Sequence, residues 1–147
     1  MSKTFSLHHI VFATKHREPT ITQEHKRDLY AYIHGIIKNR KCNLFRINGM
    51  ADHIHILVDV HPSVAIADLV KEIKQWSSHW LKTDSRFPLF SNWGEGYYAV
   101  SLGIESLEAC RLYIINQESH HGGTDLISEM QHIADTNGLR WYDDDWD

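Results

Sequence analysis

The segment Asp52-His53-Ile54-His55-Ile56-Leu57-Val58-Asp59-Val60 constrains this chain more than any other. Side chains alternate across a strand, so Ile54, Ile56, Val58 and Val60 share one face while His53 and His55 share the other. The first face is apolar enough to lie beneath helices. The second carries two imidazoles about 7 Å apart at Cα, which is two strand rises. Rings at that spacing are able to converge on one metal ion. A pair of surface or hydrogen-bonded histidines satisfies the same pattern.

The rest of the chain arranges itself around this strand. Leu7–Thr14 reads as a strand that is apolar on both faces, and hence central. From Gln23 to Lys41 the period is helical, with Leu29, Ile33, Ile36 and Ile37 on one face. Residues 42–47 read as a further strand, joined to 52–60 by a turn around Asn48-Gly49. Pro62-Ser63 opens a second helix with Ser63 as its N-cap, and Ile66, Val70, Ile73, Ser77 and Leu81 form its stripe. Residues 83–96 read as loop, 97–102 as a strand, 105–117 as a third helix and 124–137 as a fourth. The order β-α-β-β-α-β-α predicts an α+β chain. Its core is a ferredoxin-like split β-α-β antiparallel sheet with two helices on one face, and a further helix follows.

Composition fits one domain with a tail. The net charge of −4 is unevenly spread: residues 1–124 carry +2 and residues 125–147 carry −6. The body is mildly basic and the end acidic, so charge neither requires nor excludes nucleic acid. Cys42 and Cys110 form no C-x-x-C pair and read as reduced thiols of a cytoplasmic protein. The N-terminal stretch has no apolar run of signal-peptide length, and no segment has the ~20 apolar residues of a membrane span.

A third metal donor has to come from elsewhere. Tyr113 and Gln117 lie four apart on the third helix, so a phenol and an amide oxygen project together. A half-buried core tyrosine beside an exposed glutamine gives the same spacing. Tyr30, Tyr32, Tyr97 and Tyr98 compete with Tyr113. His8 and His9 point to opposite faces, so at most one joins His53 and His55, and His61, His120 and His121 compete less directly.

Taken together these pieces resemble a known family, the single-tyrosine HUH transposases, the small insertion-sequence-200-like enzymes of prokaryotes. His53-Ile54-His55, within Gly49-Met50-Ala51-Asp52-His53-Ile54-His55-Ile56-Leu57, is similar to their His-hydrophobic-His motif. Tyr113-Ile114-Ile115-Asn116-Gln117 is similar to their Tyr-x-x-x-Gln helix motif, with His120-His121 following. Asp68–Lys74 and Trp93–Tyr97 also look like family sequence. The resemblance spans residues 5–121 closely and implies a catalytic domain over 1–124. Residues 125–147 then form a helix and acidic tail packed on that domain or extending from it.

The resemblance implies an enzyme that cuts and rejoins single-stranded DNA at hairpin ends. Tyr113 is then the nucleophile, forming a 5′-phosphotyrosine and freeing a 3′-hydroxyl, while His53, His55 and Gln117 hold a divalent ion. Two imidazoles and an amide carry no charge, so they leave the ion strongly electrophilic toward a phosphodiester. A nearby cation also assists a phenol whose reference pKa is about 10. Imidazole suits Mn²⁺ and availability favours Mg²⁺; the resemblance implies that either serves. Bond energy is stored in the covalent link, in keeping with the absence of a G-x-x-x-x-G-K-[ST] loop. Lys15, His16, Arg17, Lys71 and Lys74 are candidate phosphate contacts, with Trp93 or Tyr97 as a base-stacking platform. A homodimer is implied, with the tyrosine helix serving the partner's histidines in some members. Other readings are a domesticated hairpin-processing nuclease, a non-catalytic DNA-binding module, and a metal hydrolase that uses water in place of Tyr113.

Overall fold

A computed structural model of the chain describes residues 2–117 together with 128, 129 and 131. The elements are β1 (Leu7–Ala13), α1 (Lys26–Asn39), β2 (Asn43–Met50), β3 (His53–Asp59), α2 (Ile66–Thr83), β4 (Tyr98–Leu102) and α3 (Leu107–Ile115). Short 3-10 turns at Lys15–Arg17, Gln23–His25 and Ile104–Ser106 precede α1 and α3. The four strands form one antiparallel sheet in the order β2-β3-β1-β4. This is the α+β, ferredoxin-like arrangement that the element order predicts.

Both faces of the sheet are covered. On one, Ile10, Phe12, Ile54, Ile56 and Val58 pack against Leu29, Ile33 and Ile37 of α1 and Leu69, Val70 and Ile73 of α2. A helix of α1's 14 residues is marginal by itself in water. Its five buried side chains each stabilise it by roughly 1.5–3 kcal/mol, so tertiary packing holds it helical. On the other face, Leu7 and Leu57 meet Ile114, with Phe45, Leu107, Cys110 and Tyr113 around them. The face that carries the histidines is therefore roofed by α3.

Several boundaries differ from the sequence expectation. The Asn48-Gly49 pair is not a turn: β2 runs through it to Met50, and the chain reverses at Ala51-Asp52. Gly49 is needed for closeness, because a Cβ there would lie 2.1 Å from the carbonyl oxygen of His53. The helix after Pro62 begins at Ile66 with Ala65 as N-cap. Ser63 does not cap it, because its hydroxyl and amide are both turned to His61 Nδ1 at 2.7 and 3.1 Å. Thr14 leaves β1 to form a single bridge with Trp93. Of the fourth helix expected over 124–137, residues 128, 129 and 131 are helical, and the remainder lies outside the described residues, as does the acidic end.

A bulge between Leu44 and Arg46 resets the alternation of β2. Leu44 and Ile47, three apart, both reach the helical core. Asn48 is thereby placed on the opposite face, directly across from His55.

Candidate active site and metal centre

β3 lies inside the sheet, between β2 and β1, so its register is fixed on both sides. That register holds His53 and His55 on the α3 side, both fully buried. Their ring centroids are 5.0 Å apart. Each ring is held through Nδ1. His53 Nδ1 lies 2.6 Å from Asp52 Oδ1. His55 Nδ1 lies 2.9 Å from Nε2 of His9, which reaches across from β1. Of the adjacent pair, His9 joins the site; His8 turns the other way and meets the carbonyl of Ser6.

The third expected donor lies just beyond α3's C-terminal end. Gln117 is fully buried, and its Oε1 lies 3.2 Å from His53 Nε2. The amide orientation follows from its other end, where Nε2 faces Tyr113 O and Glu129 Oε1, each at 3.5 Å. Asp52 is an acceptor only, so a neutral His53 keeps its proton on Nδ1 and presents a bare lone pair at Nε2. Gln117 Oε1 presents another. Two facing lone pairs at this distance suit a proton or a cation between them. Imidazole and amide donors fit a divalent ion of the Mn²⁺ or Mg²⁺ kind, with the outer nitrogens anchored as metal-binding histidines require. Among the described residues no group of three or more His, Cys, Asp and Glu is placed to hold a metal ion by itself, and the oxygen that faces His53 Nε2 is the Gln117 amide.

Tyr113 stands one turn before Gln117, its ring 5.7 Å from that of His55 and edge-on to it. The helix that carries it is pinned from β2: Asn48 Nδ2 donates to the carbonyls of Ile114 at 3.0 Å and Ile115 at 3.2 Å. Clefts flank the helix on both sides. One, of about 250 Å³, is lined by His9, Tyr98, Val100, Cys110 and Tyr113. The other, of about 530 Å³, is lined by Lys26, Arg27, Arg46 and Asn48. Burial pushes the Cys110 thiol up to about 11, so it is no thiolate at neutral pH.

The competing tyrosines fall away from the metal donors. Tyr30 belongs to the helical core, Tyr32 stacks on Trp80 at 5.1 Å, and Tyr97 is exposed. Tyr98 meets His9 edge-on. His61 is occupied with Ser63, and His120 and His121 lie outside the described residues.

The expected DNA contacts divide. Lys15 is exposed and Arg17 half-buried on the turn after β1, where His16 and Arg17 both take positive φ, 56° and 55°. Among the described residues Arg17 Nε has no hydrogen-bond partner. Lys71 is exposed on α2. Lys74 is a structural cation instead: Nζ donates to the carbonyls of Gly94 at 2.9 Å and Gly96 at 2.6 Å, and lies over the Phe12 ring. Burial lowers its pKa, with Glu95 opposing. Trp93 is no stacking platform here. It is 5% exposed, packs edge-on to Phe12 and Phe90, and donates Nε1–H to Ser77 Oγ at 2.9 Å.

Sequence reasoning passed over Asp52, Asn48 and Glu129. Asp52 was legible as the neighbour of His53, whereas Asn48 was hidden by its resemblance to a hairpin turn. Glu129 gave no signal, since it reaches the site from 12 residues beyond Gln117. Its carboxyl is pushed up to about 7, chiefly by burial, with His53 lowering it and Asp52 raising it.

A model of the family described as "Transposase IS200 like" matches residues 3–117. Transposases for insertion sequence element IS200 from Salmonella typhimurium and Salmonella typhi are each 27% identical over 101 residues, 65% of this chain. The match spans 66% of those curated relatives' own length, just under two thirds. A solved structure of a transposase candidate from Deinococcus radiodurans superposes with a TM-score of 0.58 at 22% identity, covering 80% of this chain and 95% of that one. A REP-associated tyrosine transposase, solved bound to a REP hairpin, gives 0.64 at 14% identity, covering 100% and 93%. These two share the fold. With the family model matched from Lys3 through Gln117, the chain belongs to the IS200-like transposases.

Proposed function

We propose that this chain cleaves and rejoins single-stranded DNA at hairpin ends, as a metal-dependent transposase with Tyr113 as nucleophile. The observation that carries the reading is the convergence of His53 Nε2 and Gln117 Oε1 at 3.2 Å, one helical turn from the phenol. His53, His55 and Gln117 would hold a divalent ion, which would supply charge neutralisation for the phosphodiester. The chain does the rest. Tyr113 Oη loses its proton and bonds to phosphorus, and the bond from phosphorus to the 3′-oxygen of the preceding nucleotide breaks. That oxygen takes up a proton and leaves as a 3′-hydroxyl, while the 5′-phosphate remains on Tyr113. Attack by the 3′-hydroxyl of another strand reverses the step and releases the phenol.

Asn48 holds the attacking helix in place through its last carbonyls. The cleft at His9, Tyr98 and Tyr113 suits the nucleotide beside the scissile bond. Lys15 and Arg17 bind backbone phosphate; support comes from the turn after β1 that carries them, with Lys15 exposed and Arg17 half-buried. Lys71 is a further phosphate contact. The hairpin held by the REP-associated relative favours hairpin ends as substrate. The catalytic domain is assigned to 1–124 with 125–147 as its C-terminal extension, working as a homodimer in the prokaryotic cytoplasm.

The test is incubation with single-stranded hairpin DNA and Mg²⁺ or Mn²⁺, followed by detection of a covalent adduct. Tyr113→Phe abolishes the adduct and leaves hairpin binding intact. His53→Ala or His55→Ala removes activity and its metal dependence together. Cleavage by Tyr113→Phe would reject the nucleophile.

A further inference from the structure

His9 is buried to 4% exposure on β1, on the face that carries the site. The register pairs His9 with Leu57 and Val11 with His55, so His9 and His55 are diagonal neighbours on adjacent strands. Their rings stack with centroids 5.1 Å apart and planes 21° from parallel, and Nε2 of His9 meets Nδ1 of His55 at 2.9 Å. The other edge of His9 faces the rings of Tyr98 and Tyr113. The side chain is thus wedged between the ligand strand and the helix of the nucleophile.

Two neutral imidazoles that share one hydrogen bond have two arrangements. If His9 donates, His55 Nδ1 is the acceptor. The proton of His55 then sits on Nε2 and occupies the lone pair a cation needs. If His55 donates through Nδ1–H, His9 Nε2 accepts and His55 Nε2 is bare. Only the second arrangement is compatible with a metal-binding His55.

We infer that His9 is a positioning residue for the metal centre: it accepts the Nδ1–H of His55 and so fixes the tautomer and ring angle that turn His55 Nε2 toward the ion. This rests on the reading of His53, His55 and Gln117 as metal donors. The two histidines are anchored differently. Asp52 holds His53 with a carboxylate, and His9 holds His55 with an uncharged ring. An imidazole in that place orients its partner without adding a second negative charge beside the cation, and it fills the space under Tyr113 as well.

The test uses the full chain and Mn²⁺ alone, without DNA, with free Mn²⁺ followed by electron paramagnetic resonance. His9→Phe keeps a stacked ring but offers no acceptor, so Mn²⁺ affinity falls roughly 10- to 100-fold. His9→Gln has an amide oxygen that accepts, and it restores affinity to within about 3-fold of the parent. A merely structural role gives the opposite order, since phenylalanine fills the buried site better than glutamine. Nitrogen-15 shifts of His55 in the unsubstituted, metal-free protein supply a readout that needs no variant, and the expected tautomer carries its proton on Nδ1. A proton on Nε2, or parental affinity in His9→Phe while His55→Ala binds no Mn²⁺, overturns the inference alone. Parental affinity in His55→Ala overturns the metal reading itself, and the inference with it.

Discussion

Asn48 stands directly opposite His55 in the sheet, and its amide secures the end of the helix that carries Tyr113. One residue of β2 therefore sets the spacing between the strand of His53 and His55 and the helix of Tyr113. Asn48→Ala leaves the carbonyls of Ile114 and Ile115 without that donor, at a cost of about 1–3 kcal/mol. Asn48→Asp is worse, because carboxylate oxygens then face carbonyl oxygens. Denaturant titration measures the loss, and adduct formation falls with it. Unchanged stability in Asn48→Ala would show that packing alone holds α3.

Gly49 is next to it and acts through absence. A methyl group there collides with His53 O at 2.1 Å, and the obstacle is backbone that cannot swing aside. Gly49→Ala is expected to destabilise by about 1–3 kcal/mol or more and to displace His53. Thermal melting reads the first effect and Mn²⁺ affinity the second. A variant that melts and binds like the parent would contradict the close approach.

Trp93 belongs to the core, so its replacement affects the fold and spares the DNA. Trp93→Phe loses the donor to Ser77 Oγ, about 1 kcal/mol. Trp93→Ala loses the packing on Phe12 and Phe90 too, about 3–5 kcal/mol. Binding of single-stranded hairpin DNA by Trp93→Phe stays within about 2-fold of the parent by fluorescence anisotropy. A tenfold drop without destabilisation would restore the stacking role.

Two buried groups beside the site give opposing pH dependences in the metal-free protein. Burial lowers His9 from 6.5 to about 4, so its share of stability is present above 6.5 and is lost as pH falls toward 4. Glu129 is raised from 4.5 to about 7, so its share is full below 4.5 and is lost as pH rises toward 7. Glu129→Gln should therefore leave a melting temperature that climbs with pH between about 4.5 and 6.5. His9→Phe should leave one that declines over the same window. Parallel slopes in the two variants would refute the assignment.

The fold was legible because period-2 and period-3.6 patterns were clean where the two faces of an element differ in chemistry. Alternation in residues 53–60 and the stripe of Leu29, Ile33, Ile36 and Ile37 each had a single solution. The boundaries that shifted were those where local chemistry misled. Asn48-Gly49 has the composition of a hairpin turn, yet the glycine serves a close approach and the asparagine a helix end. Ser63 has the composition of a cap, but His61 takes it. The residues of the candidate site were legible as donor types on shared faces. Their supporting partners were not, because His9, Asn48 and Glu129 meet them only through register, a bulge and the return of the chain after Gln117. Trp93 and Lys74 read as exposed DNA contacts because composition does not reveal which aromatic or cation a loop turns inward.

His53 and His55 occupy an interior strand whose alternate residues build the main core. Inserting or deleting one residue just before His53 would exchange the two sets. Imidazoles would enter the apolar layer under α1 and α2, and isoleucines would replace His53 and His55 beneath α3. For this strand a frame slip abolishes folding and chemistry in a single event.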